Sequence, residues 1–321
     1  MPPVIETKNL VKQFRIKGGF LGHRSKELTA VDRVSLHVSC GETLGLVGES
    51  GSGKSTVGNC ILGLLNVTDG QILYKGKNLL SMRETEFKNI RGKLQVVFQD
   101  PQSSLDPRMT VKKIVGYPLR IQKGVKGEHL NNSVMAVLKD VGLSPEHLDR
   151  YPHEFSGGQR QRIGVARALI TGPEFIVFDE PTSALDVSVQ AQILNLITGL
   201  QKKYQYAYLF ISHDLAVVRH ISTRIAVMYL GSIVETAPKK RFFSAPCHPY
   251  TRALIASVPR PDPLQRQALA VLSGDVPSPL HLPEGCRFYP RCKEAINICR
   301  KVPPPRVEVA PEHWVDCHLY A

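Results

Sequence analysis

What this sequence lacks first is a long apolar run. A membrane-crossing helix needs about 20 consecutive apolar residues, and no run here reaches half of that. The opening residues, MPPVIETKNL, carry no basic-then-apolar leader. Together these absences predict a cytosolic protein that meets any membrane through partners. No internal repeat of useful length and no low-complexity tract occurs, which sets repeat architectures aside. A C-x2-C pair is also missing, although four of the seven cysteines, Cys286, Cys292, Cys299 and Cys317, fall in the last 36 of the 321 residues. Clustered thiols in a cytosolic chain point to metal rather than to disulfides.

What is present is an ordinary apolar content with a formal charge of +13. That charge suits anionic partners, whether nucleotide, nucleic acid or an anionic surface, without choosing among them. The basic residues are scattered and read mostly as solvated surface.

From Val4 to about Val234 short apolar runs alternate with helix-like segments. The runs TLGLVG, LQVVFQ, FIVFDE and AYLFIS do not alternate polar with apolar, as expected of strands buried on both faces of a parallel sheet. STVGNCILGLL, SVQAQILNLITGLQKKY and LAVVRHI carry helical spacing between them. The fold class is α/β. Residues 106 to 155 break the rhythm, with two helical stretches and no strand between them, and predict an inserted helical subdomain. After about Ala237 prolines accumulate and predict a small, loop-rich C-terminal appendage.

GESGSGKST, residues 48 to 56, fits G-x-x-x-x-G-K-[ST] after a buried strand and before a helix. Gly48, Ser50, Gly51 and Gly53 let backbone N–H groups turn inward on phosphate oxygens, and the helix start adds donors and a positive dipole end. Lys54 reaches the β- and γ-phosphates, Ser55 holds Mg²⁺, and Thr56 supplies one more donor. The other strands end in polar residues: Gln99, the pair Asp179 and Glu180, and Ser212 with His213. Ligands of open α/β sheets lie beyond such strand ends. Asp179 suits support of Mg²⁺, and Glu180 suits deprotonation of an attacking water. Gln99 and His213 suit contact with the metal water and the γ-phosphate.

A second anion-binding helix start follows in EFSGGQRQRIGVARALI. Ser156 reads as an N-cap, with Gly157 and Gly158 leaving the backbone open. With FIVFDEPTSALD and ISHD, this stretch resembles the ATP-binding subunits of ABC transporters. The resemblance covers roughly residues 4 to 240. It makes Phe155 to Gln159 the signature, with Phe where Leu is usual, and Ser183 to Asp186 the D-loop. Gln99 becomes the Q-loop, His213 the switch histidine, and Phe14 an aromatic that stacks on adenine. The implied fold is a P-loop nucleotide-binding domain over residues 1–240, with a RecA-like core and a helical subdomain at about 106–160, followed by a small domain over 241–321.

In that family two ATPase subunits face each other head to tail. Each ATP lies between one P-loop and the other subunit's Ser156, Gly157, Gly158, Gln159 and Asp186 equivalents, so one chain carrying both cradles needs a partner.

HPYTRALIASVPRP and LSGDVPSPLHLPEGCRFYPRCKEAINIC resemble the C-terminal region of dipeptide and oligopeptide importer ATPases. The basic stretch KGGFLGHRSKELTAVD is typical of one of the two ATPases there. The resemblance implies a heterodimer with a second related ATPase and two transmembrane permeases, fed by an extracytoplasmic binding protein. Its place is the cytoplasmic face of the inner membrane, with no nucleic acid expected. ATP and Mg²⁺ are the implied cofactors.

The four cysteines, spaced C-x5-C-x6-C-x17-C, suit Zn²⁺ or an iron–sulfur cube by donor type. The resemblance implies a [4Fe–4S] cluster on them. The rival readings are a soluble ABC ATPase acting on nucleic acid or ribosomes, and an importer ATPase for another small solute such as nickel.

Overall fold

The computed structural model describes residues 2–16, 26–257, 277–278, 280 and 282–321. The first nine residues of the basic stretch, 17–25, lie outside the described residues. The chain forms two compact units, Met1–Glu6 with His37–Thr43 and Ile72–Ile211, and Thr7–Leu36 with Leu44–Gln71 and Ser212–Ala321.

In the first unit the strand Phe175–Asp179 runs parallel to Leu94–Val97 on one side and to Ala207–Ser212 on the other. Phe175 pairs with Leu94 and with Ala207, and Asp179 with Ile211. Phe175, Ile176, Val177 and Phe178 are at most 1% exposed, which is why their run is uninterruptedly apolar. Phe178 meets the Tyr208 ring edge-on at 4.9 Å. The helix Val187–Tyr204 buries Ile193, Leu194, Ile197 and Leu200, the i, i+4 and i+7 stripe that places one face on the core.

Two helices, Val111–Lys123 and Gly127–Asp140, pack with Gly157–Leu169. A Cβ on Gly116 would lie 3.2 Å from Leu130 Cδ1, so the two inserted helices approach closely there. Gly124, left-handed at φ 67°, ends the first of them.

In the second unit Leu44–Val47, from the strand Thr43–Val47, runs parallel to Arg224–Tyr229. Ser232–Pro238 returns antiparallel after Leu230 and Gly231. The C-terminal region is loop-rich around the short turns Tyr289–Arg291 and Asn297–Arg300, but it ends in a hairpin, Arg306–Ala310 and His313–Asp316. That hairpin pairs with Ser232–Pro238, setting Glu235 opposite Val315 and Thr236 opposite Trp314, so the tail extends the sheet of its unit. One apolar cluster joins Val47, Leu215, Val218, Ile225, Tyr229, Phe242, Tyr250 and Phe288.

Candidate nucleotide-binding site

The segment Gly48–Thr56 leaves the buried strand Thr43–Val47 and enters the helix Lys54–Ile61. Gly51 and Gly53 have φ of 77° and 102°, the left-handed region that glycine enters freely. A Cβ at Gly48 would lie 2.1 Å from the Met228 carbonyl, and one at Gly53 2.2 Å from that of Ala30. Nothing lies within 4 Å of where a Gly51 Cβ would stand, so the middle of the loop faces open space. Lys54 is buried and donates to the Gly48 and Glu49 carbonyls, each at 2.8 Å. The loop thus has glycines where a Cβ would clash or the backbone is left-handed, and an ammonium held at a helix start.

His213 belongs to the same unit and is exposed. It lines a cavity of about 270 Å³ together with Val47, Gly48, Glu49, Leu254 and Ser257. The next residue, Asp214, caps Leu215–Ile221 by accepting from the Ala216 N–H at 2.8 Å. Phe14, on the strand Ile5–Ile16 of this unit, is half-buried, with the Lys12 ammonium 4.8 Å from its ring centre.

The first unit carries the remaining candidates. Asp179 ends its strand, and Glu180 follows in the left-handed region at φ 46°. That conformation is uncommon for a residue with a Cβ and stores strain where neighbours hold it. Several contacts hold it here, among them these. The Glu180 N–H donates to the Ile211 carbonyl at 3.0 Å, and the Ser183 hydroxyl donates to the Glu180 carbonyl at 3.0 Å. The Gln99 amide donates to the Glu180 carboxylate at 3.2 Å. Gln99 and Glu180, predicted from two separate strand ends, are thus brought together.

Ser156 caps the helix Gly157–Leu169 as predicted. Its hydroxyl accepts from the Gln159 N–H at 3.3 Å, and the Gln159 side chain accepts from the Ser156 N–H at 3.0 Å, a reciprocal capping box. A Cβ on Gly158 would lie 2.4 Å from Val189 Cγ1, and one on Gly157 would lie 3.3 Å from Leu185. Packing against the start of Val187–Tyr204, which Asp186 opens, is a second reason for glycine at these positions. That reason has no local sequence signal. The residues that sequence reasoning missed are Glu49, at a variable position of the cradle, and its partners Tyr250 and Arg291.

A family profile described as "ABC transporter" matches residues 31–183, and one described as "Oligopeptide/dipeptide transporter, C-terminal region" matches 234–299. The oligopeptide transport ATP-binding protein AppF of Bacillus subtilis (strain 168) is 47% identical over 99% of this chain and 98% of its own length. The chain belongs to the ABC transporter ATP-binding family, in its oligopeptide/dipeptide branch. The probable peptide ABC transporter ATP-binding protein y4tS of Sinorhizobium fredii is 46% identical over 99% of the chain and 90% of its own length. Among solved structures, the dimeric post-hydrolysis state of the cassette MJ0796 bound to ADP and Pi aligns with a TM-score of 0.64 at 29% identity. It covers 73% of this chain and 98% of that one. This ABC protein is an ATPase of P-loop fold.

The [4Fe–4S] expectation for Cys286, Cys292, Cys299 and Cys317 is corrected. The matched families are a transporter ATPase and a transporter C-terminal region, and neither description carries such a cluster. Among the described residues, the donors that gather within 4.8 Å of one another are instead Glu235, Cys247 and His313. The four cysteines act as small apolar groups: Cys299 and Cys317 are buried, and Cys286 and Cys292 pack on the apolar cluster. Burial pushes the Cys286 thiol up to about 11 and raises Cys292 and Cys317 as well. Their closeness in sequence reflects a small core made of short turns. The Glu235 trio does not fit a metal either, because its carboxylate is already occupied by protein donors. It accepts from His313 Nε2 at 2.7 Å and from the Cys247 and His248 N–H groups at 2.9 and 2.8 Å.

Proposed function

We propose that this ATPase powers the import of di- and oligopeptides through a membrane permease complex. The observation that carries the reading is the near-full-length likeness to oligopeptide transport ATP-binding proteins, joined to a match with that branch's C-terminal region. Among the described residues no helix is long and apolar enough to cross a membrane, so the work is coupled to partner chains that do. Those partners are two permeases, a second related ATPase and an extracytoplasmic binding protein. The place is the cytoplasmic face of the membrane.

The residue roles follow the chemistry of the groups. Gly48, Ser50, Gly51 and Gly53 wrap the phosphates with backbone N–H groups, Lys54 pairs with their charge, and Thr56 donates at the helix start. Phe14 stacks on the base. When bound, a magnesium ion supplies neutralisation of phosphate charge, and Ser55, Asp179 and Gln99 are the residues that would hold it. Glu180 takes the proton of the attacking water, oriented by the Gln99 amide that donates to it, and His213 senses the γ-phosphate. Ser156, Gly157, Gly158, Gln159 and Asp186 serve the nucleotide held by the opposing subunit. ATP then joins the two subunits and hydrolysis releases them, a two-state switch that can do mechanical work.

The test is purification from detergent-solubilised membranes with identification of every co-purifying chain, then ATPase assay of the reconstituted complex. Two polytopic permeases, a second related ATPase and peptide-stimulated turnover are expected. Recovery only from the soluble fraction, with nucleic acid or ribosomes attached, would overturn the reading in favour of a soluble ABC ATPase.

A further inference from the structure

The second residue of the phosphate cradle, Glu49, is gripped by the C-terminal region. Its carboxylate accepts two bonds from the Arg291 guanidinium, Nη1 to Oε2 at 2.8 Å and Nη2 to Oε1 at 3.0 Å. This is the bidentate geometry in which Arg–carboxylate pairs are strongest. Its backbone N–H donates to the Tyr250 hydroxyl at 3.0 Å. These partners lie 242 and 201 residues downstream of Glu49.

Both grips rest on a rigid base. Tyr250 is fully buried and Arg291 is 8% exposed. The Arg291 guanidinium sits 5.9 Å from the Tyr229 ring centre and donates to the Tyr229 hydroxyl at 3.4 Å. The Tyr229 and Tyr250 rings are 4.7 Å apart, and each is 5.3 Å from Phe288. Arg291 closes the turn Tyr289–Arg291 by donating its N–H to the Phe288 carbonyl at 3.0 Å, so ring and guanidinium move as one piece. Leu254 and Ser257 bring the same region to the cavity that Gly48, Glu49 and His213 line.

A glycine-rich loop has much conformational freedom to lose when it closes on phosphates. Contacts that fix the loop beforehand shift that cost from binding to folding. Lys54 serves poorly as such a contact. Its ammonium donates to the Gly48 and Glu49 carbonyls, and phosphate oxygens compete for the same protons. Arg291 and Tyr250 hold Glu49 from outside, with groups that the phosphates do not need.

We propose that Arg291 and Tyr250 are positioning residues for the ATPase reaction: the C-terminal region braces the phosphate cradle through Glu49 and thereby sets nucleotide affinity. The proposal rests on the reading of Gly48–Thr56 as that cradle. It gives the C-terminal region a task in the nucleotide step itself, beyond any role in assembly.

The test uses the full chain in its assembled complex. Affinity is read with a fluorescent N-methylanthraniloyl-ATP, turnover by phosphate release, and stability by nucleotide-free melting. Lys54→Ala is the control for the cradle and should abolish binding. Tyr250→Phe, Glu49→Gln and Arg291→Gln should each weaken nucleotide affinity and raise KM about tenfold, the scale of one hydrogen bond. For Tyr250→Phe and Arg291→Gln, turnover at saturating ATP should stay within about twofold, because the contacts they remove act on binding and not on the transition state. The Glu49→Gln, Arg291→Gln double variant should be no worse than either single one, since both remove one interaction.

If Lys54→Ala abolishes binding while Tyr250→Phe and Glu49→Gln keep wild-type affinity, the brace is wrong and the cradle stands. Melting that falls with unchanged affinity would likewise reduce the pair to a structural role and overturn the proposal. Wild-type binding by Lys54→Ala would overturn the cradle reading and the brace with it. Should Arg291→Gln fail to fold, Tyr250→Phe carries the test, since it removes a single oxygen.

Discussion

The strand Phe175–Asp179 and the C-terminal region are equally dry and are held in opposite ways. In the strand, every residue from Phe175 to Phe178 is apolar and at most 1% exposed. In the C-terminal region, positions just as buried hold Glu235, His313 and His248 at 1% each, and Arg291 is nearly so at 8%. Apolar packing is non-directional, so the strand needs only the right volume and delivers Asp179 and Glu180 at its end. The C-terminal contacts are directional and paired, so each depends on one named partner. Damage in the first region should therefore be graded, except at the strand end, where it strikes chemistry. Damage in the second should be abrupt and pH-dependent.

The largest effect is expected at the strand end. Glu180→Gln should lower ATP turnover by about 10²- to 10⁴-fold, the span of a lost general base. Its melting temperature should barely move, since the backbone contacts that hold position 180 are unchanged. A full rate in the purified complex would remove Glu180 from the chemistry.

Stability sharpens the contrast next. Glu235→Ala leaves His313 and the Cys247 and His248 N–H groups without their acceptor. Breaking a buried pair of this kind costs about 3–5 kcal/mol. Ile176→Val, at a fully buried strand position, should cost only about 0.5–1.5 kcal/mol. Chemical denaturation of both variants decides the matter, and equal costs would erase the distinction between the regions.

The same contrast explains how much the sequence discloses. The apolar runs 175–180 and 207–212 became the strands Phe175–Asp179 and Ala207–Ser212, because burial on both faces leaves a local, continuous mark. Capping is local too, so Ser156 announced the helix Gly157–Leu169. Gly48, Gly53 and Lys54 were legible because the loop they form is specified residue by residue. Glu235 left no such mark. A glutamate in SIVETAP reads as facing water, and its burial is explained by donors 12, 13 and 78 residues on, the Cys247 and His248 N–H groups and His313. Arg291 and Glu49 are separated even further. The hairpin of Arg306–Ala310 and His313–Asp316 was hidden by its prolines and charges, since its strands are short and only partly covered. The cysteines misled for the converse reason: a clustering suggestive of metal arose from a small core that buries thiols.

A smaller effect should appear on acidification. His248 is buried, and its Nδ1 accepts from the Tyr250 N–H at 3.0 Å, so the neutral ring is the one that fits. Burial lowers its pKa from 6.5 to about 4, against the attraction of Glu235. The unfolded chain then takes up a proton that the folded chain refuses. Stability is complete above about pH 6.5 and drains away as pH falls toward about 4, by up to roughly 3 kcal/mol. For Glu235, burial alone would raise the carboxyl, but the bonds from His313 and the Cys247 amide outweigh it and hold it below the usual carboxylate range. Its own contribution therefore fades only at lower pH. His248→Asn, which keeps an acceptor for Tyr250, should flatten the melting-temperature slope across this window. A slope that survives the substitution would assign the acid sensitivity elsewhere.

The smallest effect belongs to a charge pair of the same region that is not buried. Arg252 Nη2 meets Glu294 Oε2 at 2.8 Å, with side chains 39% and 46% exposed. Distance alone would rank this pair with Arg291 and Glu49, but solvent shares its field, and holding two long side chains together costs entropy. Glu294→Gln keeps the shape and removes the charge, and should cost about 0.2–1 kcal/mol at low salt. At about 1 M salt, where the screening length shrinks to about 3 Å, that difference should vanish while the cost of Glu235→Ala persists. Measured together, the two salt series separate geometry from burial as the source of strength. If Glu294→Gln cost as much as Glu235→Ala at high salt, pairing distance and not desolvation would govern the C-terminal region, and the comparison with the strand would have to be drawn again on that basis.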